Sequence, residues 1–283
     1  MAKRNSGRRQ GASAPDPTSP LATAADTNSV FSFVTPTEFV ELPSKGQFYP
    51  SDHPLHGVDT IEIKHMTAKE EDILTSEALL RNGTALDRLL ASVILNKQIR
   101  PDSLLIGDKN AVLIASRETG FGPWYSAALN CPSCNALNEQ EFSLAEKTIE
   151  SSVLPENVTL LENGNFLMDV NEYDLTVEIR LLTGADEGRI TKILENRKKH
   201  KLSGATVTQM LQSIVAAVNG IEDAVVIQQF VDAVPASLSR KIRSTYDSVM
   251  PNIKIFGEFT CDNCSHSERM EVPMTVSFFW PEL

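Results

Sequence analysis

All four cysteines of this 283-residue chain lie in two CxxC pairs, Cys131-Pro132-Ser133-Cys134 and Cys261-Asp262-Asn263-Cys264. A CxxC turn presents two thiolates to one metal ion, half of what a tetrahedral zinc takes. Each pair therefore needs the other, and two turns separated by 126 residues have to meet in space. The flanking sequence fits such turns. Tyr125–Leu129 and Gln140–Leu144 surround the first pair, and Ile253–Phe259 and Met270–Val272 surround the second. These runs mostly alternate apolar and polar residues, the signature of strands. Each pair is expected at the tip of a hairpin, as in a zinc ribbon, with Cys131, Cys134, Cys261 and Cys264 sharing one structural Zn2+. The alternatives are free thiols, a labile disulfide, or a thioredoxin-like redox pair. The last fits least, because that motif opens a helix and strand-like sequence follows both pairs here. His266 could replace a cysteine ligand, but a histidine on such a turn is more often solvated.

Composition narrows the function classes. The chain is 41% hydrophobic and 22% charged, ordinary for a soluble protein with a real core. It has no apolar run of about 18 residues, so no membrane span is expected. No apolar segment follows the N-terminal basic residues, so no secretory signal is expected. Paired cysteines without such a signal suggest a reducing compartment. The net charge is −11; Lys3, Arg4, Arg8 and Arg9 against Asp16 and Asp26 make residues 1–30 +2 and the remainder −13. A body this acidic argues against nucleic acid, which needs many phosphate-neutralising cations. The basic run Arg197-Lys198-Lys199-His200-Lys201 reads as a solvated helix end.

Along the chain, residues 1–30 are rich in Ala, Ser, Thr and Pro and are expected to be a disordered tail. Leu42–Pro50 is a Pro/Gly-punctuated loop whose Phe48 and Tyr49 are expected to tuck onto the core. Asp59–His65 alternates as a strand, and Thr67-Ala68-Lys69-Glu70 is a capping box for a helix ending near Asn82-Gly83. Leu86, Leu89, Leu90, Val93 and Ile94 form a helical stripe, and a third helix carries Ala111, Val112, Ile114 and Ala115 up to Gly120–Pro123. The second half repeats this plan. Two strand-like pieces fill 155–180, Thr183 caps a helix, and Val207, Met210, Leu211, Ile214, Val215 and Val218 stripe the next one. Further helices are expected over 223–233 and from Pro235 onward.

The correspondence reads as an internal duplication. At an offset of 116, Glu62/Glu178, Ile63/Ile179, Thr67/Thr183 and Glu71/Glu187 are identical, and Lys64/Arg180 and Glu70/Asp186 keep charge. The helical stripes match at 121, Pro-x-Ser-Leu (Pro101, Pro235) at 134, and the CxxC pairs at 130. The drift implies different loops and one extra helix. The boundaries are 1–30 tail, 31–150 first α+β repeat, and 151–283 second α+β repeat, with a shared four-cysteine site joining them. Two copies about a pseudo-twofold axis would each offer one cysteine turn at that axis, which explains why neither holds four ligands.

Motifs for catalysis are missing. There is no HExxH, GxSxG, Walker loop or GxGxxG in strand-to-helix context. The five histidines have no metal-ligand spacing beyond His53 and His56 on a Pro-Leu turn, where solvation is the commoner state. Glu70-Glu71-Asp72 opens a helix and complements its dipole. A zinc with four cysteine ligands has no open position for chemistry. No catalytic residue is nominated, and the chain is read as a non-enzyme. The aromatic end, Val276–Pro281, is expected to be a last core strand.

Four segments resemble the T4-like phage baseplate hub protein family of contractile-tailed bacteriophages. They are Leu42–Pro50, Met66–Leu74 (MTAKEEDIL), Pro101–Asp108 (PDSLLIGD) and Cys131–Cys134, within a resemblance that spans residues 37–283. The resemblance implies a structural or assembly protein of the tail baseplate, a hub subunit or hub-assembly factor. It would be made in the host cytoplasm, with other hub and tail proteins as partners. The zinc expectation rests on the cysteines themselves. The rivals are a nucleic-acid-binding zinc ribbon and an uncharacterised thiol-redox enzyme.

Overall fold

The computed structural model describes residues 35–200, 206–274 and 278–280. The tail expected over 1–30 lies outside them, and the basic run passes outside them at Lys201. The first strands are β1 (Thr37–Glu41) and β2 (Thr60–Lys64), paired antiparallel with Val40 opposite Ile61. Ile61 and Ile63 point inward, as the alternation requires. The loop between these strands folds over the core and buries Leu42, Phe48, Tyr49 and Leu55.

Thr67 and Glu70 form the expected capping box at the start of α1 (Ala68–Thr75). The helix does not run unbroken to Gly83. Ser76 turns extended (ψ 106°), and a short second helix, α2 (Glu77–Arg81), follows before Gly83 at φ 66°. Next come α3 (Ala85–Val93) and α4 (Ile106–Phe121). The stripe residues Leu89, Leu90 and Val93 are buried, whereas Ile94 leaves the helix and bridges antiparallel to Ile63. Lys97 Nζ donates to the carbonyls of Ala91 (2.8 Å) and Ile94 (2.6 Å), satisfying groups that the end of α3 leaves open. The hairpin β3 (Trp124–Asn130)–β4 (Leu137–Ser143) and the strand β5 (Lys147–Glu150) complete the first half.

The second half contains β6 (Val158–Leu160), β7 (Phe166–Val170) and β8 (Leu175–Ile179), then α5 (Gly184–Lys199) and α6 (Thr206–Ile214). After these come β9 (Val215–Val218), α7 (Ala224–Ala233), α8 (Ala236–Val249), β10 (Asn252–Thr260) and β11 (Ser267–Glu271). Three strands, not two, fill 155–180, and with β9 they make a four-stranded sheet in the order β6-β7-β8-β9. The expectation that Val215 and Val218 continue the helical stripe fails. The helix ends at Ile214, and Val215 pairs with Ile179. An apolar run continuing the stripe satisfies the helical period, but the open edge of β8 needs a partner and valine suits a pleated surface.

The two hairpins share one register. Ser126 faces Glu141 and Asn130 faces Leu137 in the first; Phe256 faces Glu271 and Thr260 faces Ser267 in the second, all displaced by 130 residues. The three-stranded sheet β11-β10-β5 then crosses between the halves, because β5 precedes residue 151 and β10 follows it. The described residues from Pro36 onward form one compact unit. Gly107 of α4 lies against the chain entering β10, where an added Cβ would stand 2.1 Å from the Pro251 carbonyl oxygen. Phe278 and Phe279 are buried as expected, though in a turn and not a strand. The Phe278 carbonyl accepts from Arg117 Nε (2.6 Å), and Trp280 Nε1 donates to the Leu74 carbonyl (2.6 Å).

Candidate metal centre

Each hairpin tip is a tight turn built the same way. The Cys131 amide donates to the Ala136 carbonyl (2.9 Å) and the Cys261 amide to the His266 carbonyl (2.8 Å). Asn135 and Ser265 take the left-handed conformation, at φ 58° and 57°, and reverse the chain so that the sulfurs of each turn face inward. Register and turn together bring all four sulfurs within 4.8 Å of one another. Cys131 Sγ lies 3.7 Å from Cys264 Sγ, and Cys134 Sγ lies 3.6 Å from Cys261 Sγ. The offset of 130 residues interchanges these two contacts.

Those distances fit a metal site better than a disulfide. A disulfide holds its sulfurs about 2.05 Å apart, and all four cysteines are free. A tetrahedral ion with sulfur bonds of about 2.3 Å has sulfur–sulfur edges of about 3.8 Å. Four soft donors at this spacing could hold one metal ion, closed on all sides. Cys131 and Cys261 are buried; Cys134 and Cys264 are exposed at the outer rim.

The surroundings supply hydrogen bonds to sulfur. Asn263 Nδ2 lies 3.6 Å from Cys134 Sγ, and this bond, with the Ala136 amide, holds the Cys134 thiol down to about 6. At Cys261 burial pushes the thiol up, but the amides of Cys264 and Asn263 bring it down on balance. At Cys264 the His266 amide pulls down, while burial and the neighbouring sulfurs prevail and carry it up to about 11. The buried Asn138 joins the two turns. Its Nδ2 donates to Cys261 Sγ (3.6 Å) and the Ala136 carbonyl (2.8 Å), and its Oδ1 accepts from the Asp262 amide (2.8 Å). Gln140 acts as a short stretch of strand, donating to the Glu258 carbonyl (2.8 Å) and accepting from the Thr260 amide (3.1 Å). None of Asn138, Gln140 and Asn263 was singled out by sequence reasoning; the only hint is an amide within six residues of a cysteine. His266 is not among the four clustered ligand residues.

Elsewhere, the resemblance segments meet as buried polar networks. Asp108 accepts from the Ser44 amide (3.0 Å), Ser44 Oγ (2.6 Å) and Tyr49 Oη (2.7 Å), and burial raises its carboxyl above the usual range. Glu70 does more than complement a dipole. It is fully buried and accepts from Lys64 Nζ (2.7 Å), the Thr67 amide (2.9 Å) and Ser92 Oγ (2.5 Å). Burial opposes its charge, but these bonds win and hold the carboxyl down at about 2. Its counterpart by the 116 offset, Asp186, accepts from both Arg180 nitrogens (2.9 Å each) and the Thr183 amide (2.9 Å), and is likewise held at about 2. His53 and Ser103 are the nearest approach to a nucleophile and base. There His53 Nδ1 accepts from the Leu55 amide (3.2 Å), so Nε2 carries the proton and donates to Ser103 Oγ (2.9 Å). That imidazole has no free acceptor for a serine proton. No described helix is long and apolar enough to cross a membrane.

The sequence model of the T4 bacteriophage base plate protein family matches residues 35–280. The chain belongs to that family. Comparisons with the curated proteins and with the solved structures return no match. The matched span begins just before β1 and ends at Trp280, so it takes in both hairpins, all four cysteines and every buried network described above. Membership makes this a baseplate protein of a phage tail, a structural class, and agrees with the resemblance carried by Leu42–Pro50, Met66–Leu74 and Pro101–Asp108.

Proposed function

We propose that this baseplate protein is a hub subunit or hub-assembly factor, made in the host cytoplasm, that works by recognising other tail proteins. Two related halves, 31–150 and 151–283, are stapled by one structural zinc ion on Cys131, Cys134, Cys261 and Cys264. The observation that carries this reading is the sulfur geometry, two cross-half contacts of 3.6 and 3.7 Å where four thiolates around zinc need about 3.8 Å. Matching hairpin registers support the duplication. So do the Lys64–Glu70 and Arg180–Asp186 ion pairs, and the pairing of Ile63 with Ile94 and of Ile179 with Val215.

Bound zinc would supply cross-linking and not reaction chemistry, because the four sulfurs leave no open position. The protein's own part is to hold the two turns in register, with Asn138 and Asn263 placed against the sulfurs. No preformed site exists in the unfolded chain, so metal affinity becomes folding free energy. The halves then meet partners as one rigid body. The test is elemental and mass-spectrometric analysis of baseplate assembly intermediates from infected cells. This reading expects the chain among other tail proteins with one zinc per copy, and loss of both when Cys131 and Cys261 are changed to serine. A chain found only as a free, metal-less monomer would overturn it.

A further inference from the structure

Two sheet edges and one helix enclose a cleft of about 340 Å³ that the baseplate reading leaves unused. One wall is β1. The Leu42 amide donates to Asp59 and the His65 amide to Pro36, so the even-numbered residues of β1 bond to β2. The backbone groups of Thr37, Phe39 and Glu41 therefore face away from β2, along an edge that no other described strand pairs. The other wall is β5, itself the outer strand of β11-β10-β5 and contributing Lys147 and Ile149; Ala111 and Ala115 of α4 form the floor. Phe39, 70% exposed, leads the exposed large apolar residues.

The charge of the cleft is one-sided. Glu38, Glu41 and Glu118 line it, and its one cation, Lys147, is paired with Glu118. Glu38 Oε1 is buried and has no hydrogen-bond partner among the described residues. A buried carboxylate oxygen without a donor is costly, and a cation brought by another chain would remove that cost. An unpaired edge, an exposed aromatic and an unsatisfied carboxylate fit one kind of occupant, an extended segment that adds as a strand.

We propose that the β1–β5 cleft receives an extended segment of a partner protein, one that alternates basic and apolar residues, pairs with the free edge of β1 and sets a Lys or Arg against Glu38. This extends the reading of a subunit that recognises other tail proteins but fails separately from it, since metal content does not depend on the cleft. The probe is a fluorescent nonapeptide alternating lysine and valine, titrated into the full chain, with a glutamate–valine peptide as control. We expect the basic peptide to bind and the acidic one not to. Glu38→Gln should weaken binding roughly tenfold or more, the range for a charge-assisted hydrogen bond. Phe39→Pro, which removes an edge amide, should abolish it while leaving the circular dichroism spectrum unchanged. Equal binding of both peptides, or unaltered binding by Glu38→Gln, would overturn the proposal. So would a dimer that forms without peptide and is lost in Phe39→Pro, which would assign the cleft to a second copy.

Discussion

At the scale of single residues, the buried acids govern how the fold responds to pH. Glu70 has its carboxyl held at about 2, below its ordinary 4.5, so the stability it contributes is complete above pH 4.5 and is lost as pH falls towards 2. Glu70→Gln should cost on the order of 2–3 kcal/mol at neutral pH, measured by urea unfolding. The gap between variant and parent should close between about pH 4.5 and 2. Asp108 titrates with the opposite sign, because burial raises its carboxyl, but it is common to both proteins and drops out of the difference. A constant gap across that range would mean that Glu70 acts through packing alone. The capping box was legible because its partners lie three residues apart. Asp108 was not, since its donors Ser44 and Tyr49 are 64 and 59 residues away. Only the packing of the Leu42–Pro50 loop on α4 makes them neighbours.

At the scale of elements, α4 is the axis on which both halves pack. Lys109 on this helix reaches Asp87 of α3 (3.1 Å) and Glu187 of α5 (3.0 Å). Gly107, the second residue of the helix, touches the chain entering β10. Gly107→Ala should therefore lower stability by about 1–3 kcal/mol despite alanine's better helix propensity, because the new Cβ meets a backbone oxygen that cannot swing aside. Calorimetry should show a lower unfolding temperature; a rise would mean that the crossing relaxes freely. The hairpins were legible from alternation around the cysteines, and the helices from their stripes and caps. The helix-to-strand switch at Val215 was not, because what decides it is the open edge of β8. Likewise Ile94 fits a helical stripe and leaves the helix only because Ile63 offers a strand partner.

At the scale of the whole molecule, the chain is a baseplate protein whose halves are tied in many described places. Four of these are the β5–β10 pairing, the Lys109–Glu187 ion pair, the docking of Phe278–Trp280 and the cysteine cluster. The first three are ordinary packing and pairing. The fourth is the one that the proposed zinc would complete, because four thiols at van der Waals separation gain little from one another. The sequence carried the cluster's membership outright, since four cysteines in two half-sites allow one arrangement. The amides against the sulfurs, Asn138 in β4 and Asn263 in the second turn, carry no sequence signal of that contact. X-ray absorption at the zinc edge on the purified full chain tests the central claim most directly. The account predicts a single zinc with four sulfur neighbours at about 2.3 Å. Nitrogen or oxygen in that shell, or a chain that folds fully with no metal bound, would contradict it.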